Sequence, residues 1–210
     1  MPETGVLFSE PVTVLPGMTL LPGFAVSKEL QPILSAVCEL SPVRQMVTRR
    51  GQKIQVAMTS CGQCGWVSDT KGYRYTSLDP VSNKPWPAMP KAFKDLAQRA
   101  AAQGGFPGFE PDACLINRYQ PGTQMGAHQD RDEQDFSQPI VSVSLGIPAR
   151  FFVQGLERRG ASTPVDLSDG DVVVFGGPAR LYYHGVRKLK PNDDPIWGPY
   201  RWNLTFRKAL

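Results

Sequence analysis

The sequence predicts a mainly β fold with flanking helices, an α+β protein built around a jelly-roll or similar barrel. Turn-forming residues are abundant, with Gly 20 and Pro 20 spread over 210 residues without a repeat. Two stretches have helical periodicity, and a series of short strand-like segments follows them. The length fits one core, so we expect one catalytic unit.

The N-terminal part predicts a strand at Val12–Leu15 and then a helix capped by Ser27. Apolar positions of this helix share one face: Leu30, Ile33, Leu34, Val37 and Leu40. Residues 43–47 and 54–58 flank Arg49-Arg50-Gly51 and predict a β-hairpin with a basic tip. Residues 61–90 show neither periodicity, and we interpret them as a structured loop region.

A second helix is predicted to begin at Pro90 and to end at Gly104-Gly105. Its apolar face consists of Phe93, Leu96, Ala97 and Ala100. Turn signals such as Gln120-Pro121-Gly122 separate the strands that follow. The predicted strands are residues 113–119, 140–145, 150–153, 171–175, 181–184 and 201–207.

Composition is ordinary for a soluble globular protein, with 41% hydrophobic and 20% charged residues. No apolar run approaches the ~20 residues of a membrane-spanning helix. Residues 1–10 lack the pattern of a secretion signal, so we expect a cytoplasmic protein. We expect Cys38, Cys61, Cys64 and Cys114 to be free thiols. Cys61-x-x-Cys64 resembles half of a zinc site, but the sequence holds no second pair.

The formal net charge of +4 permits a polyanionic partner without requiring one. Basic residues cluster at three places: Arg44, Arg49, Arg50 and Lys53; Arg158 and Arg159; and Arg187, Lys188 and Lys190. Such groups are typical of phosphate contacts, although any one cluster is as easily a solvated basic loop.

The chain contains only two histidines, His128 and His184. In His128-Gln129-Asp130 the imidazole and the carboxylate lie at i and i+2, so they share one side of an extended segment. His184 ends a predicted strand. Two histidines and one carboxylate form the facial triad of non-haem iron(II) oxygenases. A His-x-Asp tripeptide alone is common by chance.

The last predicted strand strengthens this hypothesis because it alternates with period two. Arg201, Asn203, Thr205 and Arg207 share one face, whereas Trp202, Leu204 and Phe206 share the other. On an exposed edge strand the polar face would be unremarkable. Inside a barrel it offers bidentate donors for a dicarboxylate such as 2-oxoglutarate. Alternation in the strand 113–119 adds Asn117 and Tyr119.

At this point the sequence resembles the AlkB family of DNA dealkylation dioxygenases, from about Arg44 to Arg207. The matching segments are residues 44–48, 56–59, 83–90, 111–119, 128–130, 140–146, 171–174 and 203–207. The resemblance implies a double-stranded β-helix core with an N-terminal nucleotide-recognition lid. We expect the extension and lid at residues 1–90 and the dioxygenase core at residues 91–210.

The resemblance also assigns roles to residues. It implies His128, Asp130 and His184 as the iron(II) ligands, with Asp132 beside them in the catalytic site. It implies Asn117, Tyr119, Arg201, Asn203 and Arg207 as the contacts of 2-oxoglutarate. It implies Trp66, Tyr73, Arg74, Tyr75, Asp132 and Arg158 as contacts of the damaged base and its strand. Without it, Trp66 and Tyr73 would be interpreted as packing residues and the acidic run at Asp132 as a solvated turn.

The activity implied is oxidative demethylation of 1-methyladenine and 3-methylcytosine in DNA, with RNA left open. The cosubstrates would be 2-oxoglutarate and O₂, and the products formaldehyde, succinate and CO₂. We expect a monomer. Two alternatives stay open: a related dioxygenase that hydroxylates a protein or small molecule, and a nucleic-acid-binding module that no longer catalyses.

Overall fold

The computed structural model describes residues 10–210, so our expectation about an N-terminal leader lies almost wholly outside the described residues. Two α-helices, α1 (Ser27–Leu40) and α2 (Lys91–Gln103), lie among fourteen strands in the described residues. The first seven strands are β1 (Val12–Leu15), β2 (Met18–Leu21), β3 (Arg44–Val47), β4 (Lys53–Gly62), β5 (Gly65–Asp69), β6 (Gly72–Thr76) and β7 (Ala113–Tyr119). The others are β8 (Met125–His128), β9 (Ile140–Gly146), β10 (Ala149–Gly155), β11 (Thr163–Leu167), β12 (Val172–Phe175), β13 (Tyr183–Val186) and β14 (Arg201–Arg207).

The strands form three antiparallel sheets. An eight-stranded sheet has the order β1-β2-β12-β9-β14-β7-β4-β3, and a four-stranded sheet has the order β11-β10-β13-β8. Strands β5 and β6 pair only with each other. Side chains from both larger sheets share one core, in which Phe151 and Val186 meet Val173 and Phe175. This arrangement is the double-stranded β-helix that the resemblance implies, and the mainly β prediction is confirmed.

Both helices cover the outer face of the eight-stranded sheet. Phe93 of α2 packs edge-on against Phe206 of β14, with 6.1 Å between ring centroids. Leu204 and Phe206 belong to this helix-side core, whereas Asn203 and Thr205 point to the other side of the sheet. The predicted alternation of the last strand is therefore confirmed, and one strand separates the core from a polar cavity.

Both predicted helices and most predicted strands are present, with local corrections. Ser27 is not the cap of α1, because Val26 occupies that position and the Ser27 hydroxyl donates instead to Asp169. Leu40 is 78% exposed and does not belong to the apolar face. Pro90 precedes α2 as predicted. Strand β13 begins two residues later than predicted, and β2, β8 and β11 were not predicted.

The interpretation of residues 61–90 as a loop region is wrong for their first part. Strand β4 continues to Gly62, and β5 and β6 form a hairpin across a turn that ends at Gly72. Gly65 at the start of β5 allows the Trp86 ring to pack against the backbone of the hairpin, since a Cβ at this position would lie 2.4 Å from the ring. The boundary at residue 90 between lid and core stays a prediction, and β1–β4 add to the same sheet as the later strands.

The four cysteines are free thiols, as expected. Neither helix in the described part of the chain combines the length and the apolar character needed to cross a membrane.

Candidate metal centre and cosubstrate pocket

The two histidines and Asp130 converge in the cavity between the two larger sheets. His128 ends β8 and lies opposite His184 of β13 in the strand ladder. Asp130 follows β8, with its Oδ1 3.6 Å from His128 Nε2 and its Oδ2 3.8 Å from His184 Nε2. Among the described residues this is the one group whose ligand atoms, all within 4.8 Å of one another, could hold a metal ion.

Local hydrogen bonds prepare both imidazoles for metal binding. His128 Nδ1 lies 2.9 Å from the carbonyl oxygen of Gly126, and His184 Nδ1 lies 2.9 Å from that of Tyr182. An Nδ1–H that donates to a carbonyl leaves the Nε2 lone pair free to face Asp130. Burial, together with the charge of His128, lowers the pKa of His184 to about 4, so this imidazole is neutral near pH 7.

The Asp130 carboxylate stays ionised although it is buried. Burial alone would raise its pKa, but the Arg207 guanidinium and the two imidazoles together hold the pKa of Asp130 below its usual range. Arg207 Nη2 donates to Asp130 Oδ2 at 2.6 Å, and Arg207 Nε lies 3.2 Å from Glu133 Oε1. The site therefore offers two imidazole nitrogens and one anionic oxygen, which suit a divalent transition metal.

The surroundings of Arg201 indicate whether the pocket fits a ligand with a carboxylate group. Its side chain is 1% exposed, and Nη2 donates to Ser144 Oγ at 3.0 Å. Its Nε and Nη1 are buried without a hydrogen-bond partner, and the guanidinium lies 5.0 Å from the centroid of the Tyr119 ring. No acidic side chain of residues 10–210 pairs with it. A buried cation without a counter-charge is costly, so the pocket fits an anionic group such as a carboxylate.

The other predicted cosubstrate contacts lie beside Arg201. Asn117 of β7 and Asn203 of β14 face each other across the ladder, with Asn117 Nδ2 donating to Asn203 Oδ1 at 3.5 Å. Asn203 Nδ2 donates to Ser142 Oγ at 2.9 Å, while Asn117 Oδ1 is buried without a partner. All five predicted contacts line the same cavity of about 490 Å³. Polar groups that lack protein partners thus face the space in which a diacid would lie.

Four of the six predicted base contacts line the mouth of this cavity, two of them on the β5–β6 hairpin. Trp66 and Tyr73 stack with 5.5 Å between ring centroids and 20° between planes. Trp66 Nε1 donates to Asp132 Oδ2 at 2.7 Å, which ties the hairpin to the segment after β8. Arg158 lines the cavity from the loop after β10. The structure therefore brings Trp66, Tyr73, Asp132 and Arg158 to one opening.

Arg74 and Tyr75 are not brought into the cavity lining. Arg74 lies on the opposite side of β6 from Tyr73 and forms a two-fold contact with Asp69, at 2.9 and 2.8 Å. The hydroxyl of Tyr75 donates to Glu133 Oε1 at 2.7 Å beneath the hairpin. Each side chain thus has a protein partner away from the opening, and a substrate contact for either one stays a prediction.

Sequence reasoning missed three charged residues of the site. Glu133 was grouped with a solvated acidic turn, but its side chain is 2% exposed and contacts both Arg180 and Arg207. Arg180 lies in the connection between β12 and β13 and is 3% exposed. Arg131 lines the mouth between Asp130 and Asp132. The sequence offered one signal for them: Arg131 and Glu133 closely follow Asp130, and Arg180 lies shortly before His184.

A double-stranded β-helix with two histidines, one carboxylate and an unpaired buried arginine defines the class of non-haem iron(II) oxygenases. Residues 17–207 match the 2OG-Fe(II) oxygenase superfamily, which extends the likeness to before Arg44. The chain is 51% identical over 195 residues to the alpha-ketoglutarate-dependent dioxygenase AlkB of Escherichia coli strain K12, across 92% of this chain and 90% of that protein.

Two further comparisons also show similarity to proteins of the AlkB type. The chain is 30% identical over 236 residues to the DNA N(6)-methyladenine demethylase ALKBH1D of Arabidopsis thaliana, across 98% of this chain and 52% of that protein. The solved structure of OsALKBH1 superposes with a TM-score of 0.80 at 30% identity, across 94% of this chain and 99% of that one. The chain belongs to the AlkB family of iron(II)- and 2-oxoglutarate-dependent dioxygenases, which confirms the resemblance and the predicted cofactors.

Proposed function

We propose that this dioxygenase demethylates alkylated bases in nucleic acid, with 1-methyladenine and 3-methylcytosine in DNA as its principal substrates. One observation carries the proposal: a stacked aromatic pair and a carboxylate, Trp66, Tyr73 and Asp132, stand at the mouth of the cavity that holds the metal ligands. This combination suits a flat, cationic base whose methyl group points inward. The result would be direct reversal of alkylation damage.

The cosubstrate half of the cavity would hold iron(II) and 2-oxoglutarate. His128, Asp130 and His184 would bind the metal, and Arg201 and Arg207 would pair with the two carboxylates, with Asn117, Tyr119 and Asn203 around them. When bound, these groups and O₂ supply the oxidation that releases the methyl carbon as formaldehyde, with succinate and CO₂ as the other products. The protein holds the reactants in line and excludes water through an apolar wall: Met58, Leu115, Phe151, Phe175 and Val186.

The recognition half would take a base that has left its stack. Rotating a base out of a duplex costs free energy, and the cost is lowest when methylation already prevents pairing or when the strand is single. Trp66 would stack on the base, and Asp132 would place a negative charge near it. Exposed Arg131 and Arg158 at the rim, with the Arg49–Arg50 tip between β3 and β4, would contact phosphates.

The lid and the cellular setting complete the proposal. We place the nucleotide-recognition lid within residues 1–90, where the β5–β6 hairpin presents its two aromatic side chains. The enzyme would act as a monomer in the cytoplasm, and RNA would be accepted where a single strand presents the same base edge.

The test follows loss of one methyl from a 1-methyladenine oligonucleotide by mass spectrometry, after anaerobic loading with iron(II) and 2-oxoglutarate and addition of O₂. We expect demethylation that disappears in His184→Ala, which removes a metal ligand, and that persists in Arg150→Ala. Arg150 is the matched control because it forms an exposed ion pair with Asp166 on the outer side of β10.

Two results would contradict the proposal. Unchanged demethylation in His184→Ala would remove the metal assignment. Succinate formation from 2-oxoglutarate without any loss of methyl from DNA or RNA would favour a related dioxygenase that acts on a protein or small molecule.

A further inference from the structure

The metal ligands come from two chain segments that a pair of crossed hydrogen bonds joins. Gln129, between His128 and Asp130, donates from Nε2 to the carbonyl oxygen of Leu181 at 2.6 Å. In the opposite direction, Arg180 donates from Nη1 to the carbonyl oxygen of Asp130, also at 2.6 Å. Each segment therefore supplies one side-chain donor and one backbone acceptor to the other.

The strand ladder alone does not fix Asp130. Strands β8 and β13 pair at His184 with His128 and at Val186 with Met125, with an irregular register between these pairs. Asp130 lies beyond the end of β8, where no ladder partner holds it. One of the two crossed bonds ends on the Asp130 carbonyl oxygen itself, and the other is made by the preceding residue.

Arg180 is itself held in one orientation. Its side chain is 3% exposed, and besides the Asp130 carbonyl it donates from Nη2 to Glu133 Oε2 at 3.0 Å and from Nε to the carbonyl oxygen of Gln138 at 3.0 Å. A planar guanidinium bound at three nitrogens has no freedom to turn. It therefore transmits a fixed position to the backbone of Asp130.

We propose that Gln129 and Arg180 are positioning residues that form a reciprocal latch, setting the distance between the His128–Asp130 segment and the segment that leads to His184. The inference rests on the proposed metal site, but it concerns metal affinity and not the choice of substrate. Neither side chain belongs to the group of three that could hold the metal ion. Loss of groups that orient metal ligands in this way typically costs about ten- to a hundredfold in metal affinity or activity.

The first test is Gln129→Met, which keeps the length of the side chain and removes its donor. The matched control is Gln45→Met, since Gln45 Nε2 also donates to a backbone carbonyl, that of Gln55 at 3.0 Å, on the exposed surface of β3. Binding of Mn²⁺ is measured by calorimetry without 2-oxoglutarate or nucleic acid. We expect the dissociation constant to rise about ten- to a hundredfold in Gln129→Met and to change less than about twofold in the control.

A second variant tests the other half of the latch. Arg180→Lys keeps a positive charge against Glu133 but is a point charge that reaches fewer acceptors, so we expect the same direction of change in Mn²⁺ affinity. At saturating iron(II) the kcat of Gln129→Met should return to within about twofold of the parent, while the iron concentration for half-maximal rate rises about tenfold or more.

Three outcomes would contradict the latch. The first is an unchanged Mn²⁺ affinity in both variants. The second is a lower melting temperature of the metal-free variants with unchanged Mn²⁺ affinity, since that pattern indicates an ordinary structural role. A loss of kcat that saturating iron does not restore would also contradict it. Because Mn²⁺ binding is measured without substrate, failure of the demethylation proposal would leave these results intact and the two failures distinguishable.

Discussion

Replacement of Arg201 by methionine is expected to separate stability from activity. The guanidinium is 1% exposed, makes one hydrogen bond to Ser144 and has two nitrogens without partners. Replacement of a buried ion pair by apolar side chains of similar volume is often neutral or stabilising by about 1–4 kcal/mol, and a buried charge without a counter-charge is more costly still. We therefore expect the free energy of unfolding of cosubstrate-free Arg201→Met to equal or exceed that of the parent.

Addition of 2-oxoglutarate should reverse this order. In the Mn²⁺-loaded parent, a concentration one hundred times the dissociation constant adds about 2.7 kcal/mol to the free energy of unfolding. Arg201→Met should gain far less at the same concentration, because it lacks the partner for one carboxylate. Urea unfolding followed by tryptophan fluorescence, with and without 2-oxoglutarate, measures both effects.

The control is Arg150→Met, in which the lost ion pair with Asp166 is 59% and 72% exposed and is worth only about 0–1 kcal/mol. This variant should keep the full response to 2-oxoglutarate. The reasoning about Arg201 would be refuted if cosubstrate-free Arg201→Met were about 2 kcal/mol less stable than the parent and still gained the full increment.

Three further predictions concern the mouth, the core and a thiol. Trp66→Ala should raise the KM for a methylated oligonucleotide about two- to thirtyfold while 2-oxoglutarate turnover without substrate persists, and an unchanged KM would exclude stacking. Gly185→Ala would place a Cβ 2.6 Å from the Met125 carbonyl oxygen and 2.7 Å from the Phe152 ring; urea unfolding should show a loss of about 1–3 kcal/mol, and an unchanged midpoint would argue against this close packing. Burial raises the pKa of Cys38 to about 11. Its thiol is therefore protonated at pH 8 and should react with iodoacetamide roughly two hundredfold more slowly than free cysteine, with the rate rising as pH approaches that pKa. Peptide mapping over time measures the alkylation rate of Cys38, and a rate equal to that of free cysteine would contradict this prediction.

The sequence predicted best where the pattern is long and local. Strand β14 alternates over seven residues, and this period placed Arg201 and Asn203 on one face and Leu204 on the other, as the structure has them. Helix α2 was equally clear because Pro90 precedes it and its apolar residues recur at helical spacing. In both cases the information lies within one element, so no long-range contact is needed to interpret it.

Short strands and long-range charge pairs were not predictable in the same way. Strands β5 and β6 have five residues each, too few for their alternation to stand out from a region rich in glycine and aromatic residues. Burial of Glu133 depends on Arg180, which lies far along the chain and meets it only after the barrel closes. The six proposed base contacts also depended on resemblance, because single aromatic or charged residues in loops carry no period.

The place of β14 in the sheet has a consequence for local opening of the molecule. It is bonded on one side to β7 and on the other to β9, whereas β5 and β6 are bonded only to each other. Successive amide groups of β14 bond alternately to β7 and β9, so the whole strand is released only when both ladders break, while the hairpin can open through a smaller fluctuation. Strand β14, which would contact 2-oxoglutarate, is therefore among the last elements to open. The β5–β6 hairpin, which would contact the nucleotide, can open without unfolding the rest of the molecule.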